Sequence, residues 1–209
     1  MKTEDLISQL AAEPPRSPKS AGHGEFFACA ACGLVIAAGI VFVAFGVRPD
    51  LANAGWAVAL KSAFGLAAVV ALLPLVSRTL EPTTSVKRLA LPTLLFVGLS
   101  LLAALAALAI DRSFDGLLLD MGVPECLKRV PLIALPGAAL MFWTARKYAP
   151  TRLGVAGAAI GAFAAAISIL AYSWFCQADT VAYVGLWYLS AIALCAGVGA
   201  IVGRWVLRW

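Results

Sequence analysis

The chain has 209 residues, 62% of them hydrophobic and only 13% charged, against roughly 45–50% and about 25% in a soluble domain. That composition excludes intrinsic disorder, a coiled coil and an ordinary cytosolic enzyme, and it describes a chain built to sit in lipid. Each bilayer crossing takes roughly 20 apolar residues, so about six crossings leave little chain for a folded domain outside the membrane.

Residues 1–25 come first and form the one substantial polar segment. Thr3 suits a helix N-cap, Glu4 and Asp5 put negative charge in the first turn where the helix dipole favours it, and Leu6, Ile7 and Leu10 form one apolar stripe. Pro14, Pro15 and Pro18 stop the helix, and the stretch from Ala12 to Gly24, rich in Pro, Ser and Gly, reads as an extended tether. A helix of about ten residues is marginal alone in water, and these three apolar side chains have no core of their own. The segment therefore predicts docking into a groove on another protein. Lying on lipid headgroups is the other reading, but residues 3–13 hold acidic groups and no basic one, so an anionic leaflet repels them. His23 sits alone in the tether and is given no role. The apolar run that follows is longer than a signal-peptide core and lacks a small-residue cleavage site, so the tail is expected to remain.

Phe26 to Val47 carries no charge and, at about 1.5 Å per residue, is long enough for the hydrocarbon core. Further spans are expected at Ala54–Val76, Leu89–Ile110, Leu127–Thr144, Leu153–Tyr172 and Ala182–Gly203. The expected fold class is all-α: an integral membrane bundle of six transmembrane helices over residues 26–209, with a short cytoplasmic N-terminal tail. The fourth span holds Lys128 and Arg129 in its first turn, and Pro136 with Gly137 predicts a kink, so a re-entrant segment stays open there.

Six crossings put both termini on one side, where Lys2, Arg16, Lys19, Arg78, Lys87, Arg88, Arg146, Lys147, Arg152, Arg204 and Arg208 gather, against Arg48, Arg112, Lys128 and Arg129 opposite. Positive residues are retained in the cytoplasm, so both termini are expected there. The other face holds Asp50, Asp111, Asp115, Asp120, Glu125 and Asp179. The net charge of +5 thus reflects topology, and no basic patch with interleaved aromatics points to nucleic acid. Trp56, Trp143, Trp174, Trp205 and Trp209 stand near span ends, as interfacial anchors do.

Five cysteines divide by place. Cys29, Cys32 and Cys195 lie within spans and read as small packing residues. Cys126 and Cys176 are expected at the outer surface, where disulfides persist, at the outer ends of sequential helices; whether they pair is open. Lys61 falls about 10 Å below the outer interface by helical rise, and either snorkels outward or pairs with an acidic group such as Asp111. Gly157 and Gly161, and Gly199 and Gly203, follow small-x-x-x-small spacing, which suits packing within the chain or, alternatively, a homodimer.

The opening MKTEDLISQLAAEPP, in the pattern Met-x-Thr-x-Asp-Leu-Ile-x-x-Leu-Ala, followed by six spans, resembles the NrsF-type membrane anti-sigma factors that restrain extracytoplasmic-function sigma factors in proteobacteria. Lys61 in the second span and a cysteine in each of the last two extracytoplasmic loops, Cys126 and Cys176, extend the resemblance along essentially the whole chain. It implies a bacterial inner-membrane regulator, neither enzyme nor cofactor protein. Thr3, Asp5, Leu6, Ile7 and Leu10 would contact the sigma factor, and outward-facing Cys126 and Cys176 would report stress such as heavy metals or oxidants. Pro14, Pro15, Arg16 and Ser17 stand where the family pattern leads one to expect an apolar continuation. The zinc-binding His-x-x-x-Cys-x-x-Cys of other anti-sigma factors has its nearest approach in His23, Cys29 and Cys32, with the wrong spacing and depth.

Two other classes remain as alternatives. A transporter or channel needs intramembrane polar groups along a path, for which Lys61 is the one candidate. A quinone-coupled thiol oxidoreductase needs a vicinal cysteine pair at the outer face, whereas Cys29 and Cys32 lie near the inner end of the first span.

Overall fold

A computed structural model describes residues 24–46, 48–80, 90–111, 125–148 and 150–208. Thr3, Asp5, Leu6, Ile7, Leu10, the tether and His23 lie outside the described residues, as do Asp115, Asp120 and Trp209.

The described chain is helical and contains six helices long and apolar enough to cross a membrane. They are α1 (Gly24–Ala44), α2 (Leu51–Thr79), α3 (Ala90–Asp111), α4 (Glu125–Ala145), α5 (Leu153–Tyr172) and α6 (Val181–Val206). Each overlaps an expected span, with ends displaced by a few residues at most. The fourth span is one continuous helix in spite of Pro131 and Pro136, long and apolar enough to cross a membrane. One turn of α6, Val184–Tyr188, is π-helical.

The six helices do not share the core equally. α5 is the axis, with α1, α2, α4 and α6 packed around it. Its sequence explains this position: Ala and Gly dominate, so neighbouring backbones come close. A Cβ built on Gly157 would lie 2.2 Å from the Gly199 carbonyl oxygen, and one on Gly161 would lie 2.2 Å from that of Cys195. The small-residue spacing in α5 and α6 is therefore occupied by packing within the chain. α1 and α4 cross in the same manner at Gly33 and Gly137, where a Cβ on Gly33 would meet the Gly137 Cα at 3.0 Å. α3 is peripheral, touching α2 and the start of α6, where Gly185 packs on Ala104.

Consecutive helices alternate in direction, so the bundle has two chemically distinct ends. One gathers the α1–α2 and α5–α6 connections and the start of α4; it is called the Arg48 end below. The opposite end holds the starts of α1 and α5 and the ends of α2, α4 and α6. There Lys147 pairs with Glu25 at 2.7 Å, Arg146 Nε donates to the Val206 carbonyl at 2.6 Å, and Cys29 Sγ lies 3.1 Å from Thr144 Oγ1. Trp56, Trp143, Trp174 and Trp205 are exposed near helix ends. Cys32 is also exposed and Cys195 half-buried, so of the three in-span cysteines Cys32 does not serve packing within the chain.

Candidate functional site

Two buried constellations meet at the Arg48 end. The first is ionic. Lys61 is only 1% exposed, although it lies on a helix whose other residues are overwhelmingly apolar. Its Nζ donates to Asp179 Oδ1 at 2.6 Å and to the Cys176 carbonyl oxygen at 2.6 Å. The sequence reading offered outward snorkelling or Asp111 as partner; the partner is Asp179, in the loop before α6, and the ammonium is buried. A charge so far from water holds its place only when paired and hydrogen-bonded, and Asp179 with the Cys176 carbonyl does both.

Arg48, which sequence reasoning used only for counting charge, completes the cluster. Its guanidinium grips Asp50 through Nε and Nη2 at 2.7 and 2.8 Å, and Asp179 through Nη1 and Nη2 at 2.8 and 3.0 Å. Nη1 also reaches the Cys176 carbonyl at 3.3 Å, and the Arg48 main-chain N–H donates to the Trp174 carbonyl at 3.3 Å. Two cations and two carboxylates make the cluster electrically neutral. The Arg48 hydrogen bonds, then those from Lys61, hold the Asp179 carboxyl below its ordinary value against the opposing effect of desolvation. Asp50 is lowered by the same guanidinium, while Asp50 and Asp179 raise that of Arg48. Ser62 and Ser173 hydroxyls, 2.9 Å apart, add a further tie between α2 and the chain leaving α5.

The second constellation holds the thiols. Cys126, in the first turn of α4, and Cys176, past the end of α5, belong to one buried cluster with Tyr172, Tyr183 and Tyr188. Both were expected at the outer surface, yet they are 0% and 4% exposed. The physical reason is aromatic cover: the π-helical turn of α6 lets Tyr183, Val184 and Tyr188 all face this core. Both thiols are free, and Cys126 Sγ lies 3.6 Å from the Tyr183 hydroxyl. The Tyr188 hydroxyl is buried in the same core, toward Cys176, and among the described residues meets no partner at full hydrogen-bond geometry. Above the cluster Arg129 pairs with Glu125 and stacks over Phe45 and Phe175, its guanidinium carbon 4.7 and 5.1 Å from the ring centroids.

Cys176 belongs to both constellations, its thiol in the aromatic core and its carbonyl oxygen on the two cations. Among the described residues, no three His, Cys, Asp or Glu side chains come together as a metal cage. The chemistry available is that of two protected soft nucleophiles beside a closed ionic lock.

The class this defines is an all-helical body of membrane-length helices whose buried charges fasten loops to helices. Residues 10–209 match the family model described as NrsF, negative regulator of sigma F. The chain is 30% identical to the anti-sigma-F factor NrsF of Caulobacter vibrioides and 26% identical to the probable anti-sigma-F factor NrsF of Azospira oryzae, each over 100% of both chains. No solved structure matches. The chain belongs to the NrsF family of negative regulators of sigma F.

Proposed function

We propose that this protein is an inner-membrane anti-sigma factor that holds an extracytoplasmic-function sigma factor through its N-terminal tail and releases it when Cys126 and Cys176 change chemistry. The observation that supports the sensing half is that these two thiols, distant in sequence, share one buried cluster at the end expected to face outside. Two soft thiolates can ligate a soft metal ion with loss of two protons, or can pass two electrons to an oxidant and close a disulfide. Either event pulls together the start of α4 and the loop after α5.

The sequestering half is supported by full-length likeness to relatives named anti-sigma-F factors. The apolar face of Leu6, Ile7 and Leu10 is the surface offered to the sigma factor, with Thr3 and Asp5 at its first turn. The six helices sit in the lipid bilayer with both termini in the cytoplasm, as the distribution of Lys and Arg favours. A second copy, if one binds, must use faces other than the α5–α6 glycines. A transport path through Lys61 is disfavoured, because its ammonium is committed to Asp179 and the Cys176 carbonyl.

The docking test compares the full chain with a Leu6→Asp, Leu10→Asp variant for co-purification of a sigma-F-type factor. Loss of the sigma factor in the variant, with the helical body still folded, is the expected outcome; equal recovery removes the docking model.

A further inference from the structure

Residue 176 does two things at once. Its Sγ sits with Cys126 among the tyrosines, while its carbonyl oxygen accepts from Lys61 Nζ at 2.6 Å and from Arg48 Nη1 at 3.3 Å. The neighbouring loop is fastened at two further points, Trp174 O to the Arg48 main chain and Asp179 to both cations.

From this geometry we infer that Arg48, Lys61 and Asp179 form a lock that reads the position of the Cys176 main chain and holds the body in its sigma-retaining arrangement. The inference rests on Cys126 and Cys176 being the sensor. Both cysteines carry free thiols in the structure. In the proposed switch, bridging Cys176 Sγ to Cys126 Sγ moves the main chain of residue 176, since both side chains are already packed, at 4% and 0% exposure. A displacement of about 1 Å takes its carbonyl out of hydrogen-bond range of the ammonium. Lys61 is then left buried and short of an acceptor, which favours a rearranged α2 over the resting one.

Two routes lead onward from the lock. Arg48 stands just beyond α1, whose other end at Gly24 is the root of the tail. Lys61 is on α2, which packs along α5, with Gly65 against Leu170. Breaking the lock therefore loosens the helix that bears the tail, with no need for a ligand to approach it. The three residues are positioning residues: none touches the sigma factor, and none is the group modified.

The test uses the full-length protein in phosphatidylglycerol-containing nanodiscs, loaded with a sigma-F-type factor, and phenylarsine oxide, a reagent that bridges neighbouring thiols. Lys61→Met and Asp179→Asn should lose sigma retention by about tenfold without the reagent, within the ordinary range of coupling between sites, while still titrating two thiols. Lys61→Arg, which restores charge and donors, should recover retention, and a merely structural defect would not show this rescue. If Lys61→Met does not fold, Arg48→Lys, which keeps the charge but loses the fork, should give the same loss. In a Lys61→Met chain also carrying Cys126→Ser and Cys176→Ser, release should persist, since the lock acts after the thiols. Folded Lys61→Met and Asp179→Asn proteins that hold the sigma factor and answer the reagent as wild type does would overturn the lock. A Cys126→Ser, Cys176→Ser chain that still releases in response to the reagent would overturn the sensor reading alone, leaving the lock variants to be judged by themselves.

Discussion

Gly157 and Gly199 are in backbone contact: a Cβ on Gly157 would lie 2.2 Å from the Gly199 carbonyl oxygen and 2.8 Å from the Gly203 Cα. No rotamer relieves such an overlap, since the atom encountered is main chain. α5 is the axis of the body, so parting it from α6 also disturbs the floor under α4.

Gly157→Ala is therefore expected to destabilise the bundle by about 1–3 kcal/mol, the usual cost of overpacking, and to lower the unfolding temperature in detergent. Gly39→Ala, in α1 with open space around its Cα, serves as the control and should be neutral or slightly stabilising.

Asp179 balances two buried cations, and its removal leaves Lys61 without a counter-charge. Truncating one partner of a fully buried pair costs about 3–5 kcal/mol. Asp179 is 39% exposed and Arg48 keeps Asp50, so about 2 kcal/mol is expected for Asp179→Asn, read from detergent unfolding. The same pair sets a pH dependence. Because the folded protein holds Asp179 below its ordinary value of 3.8, the folded state binds this proton less readily than the unfolded chain. Its contribution is complete above that value and fades as pH falls through the lower folded one. Thermal stability of the wild type should decline below about pH 4, and more steeply than that of Asp179→Asn.

Burial of Cys126 and Cys176 predicts slow modification. Alkylation of either by N-ethylmaleimide must await local opening, and should run at least about tenfold slower than in denatured protein, a factor that needs only about 1.4 kcal/mol of opening free energy. Tyr183→Phe removes the hydroxyl 3.6 Å from Cys126 Sγ but keeps the ring that covers it, and should leave alkylation of Cys126 as slow as in the wild type or slower. Mass spectrometry of the peptides containing each cysteine gives both rates.

The six helices were legible in the sequence because each is a long apolar run of its own, set off by charge and proline; Leu153–Tyr172 is the same in expectation and structure. What pairs with what was not. Lys61 announced itself as a charge in an apolar helix, but its partner Asp179 follows from how the α5–α6 loop folds back, and a single helix carries no signal of that. Arg48 drew attention only as one positive charge among several, although its guanidinium touches Asp50, Asp179 and Cys176. The structure gathers the two cysteines at one end of the bundle, as expected, but buries them there, because the π-helical turn that swings Tyr183 and Tyr188 over them leaves no mark in hydrophobic periodicity. The abundance of Ala and Gly in α5 was the one available hint that this helix, and not a more hydrophobic neighbour, would be the axis.

Sigma-factor release from the intact protein in nanodiscs, measured before and after phenylarsine oxide, tests most directly whether restraint and sensing reside in one molecule. The wild type should retain the sigma factor until the reagent is added and then lose it, while the Cys126→Ser, Cys176→Ser protein retains it throughout. Retention by the wild type after both thiols are bridged, or equal release from the two proteins, would contradict the account.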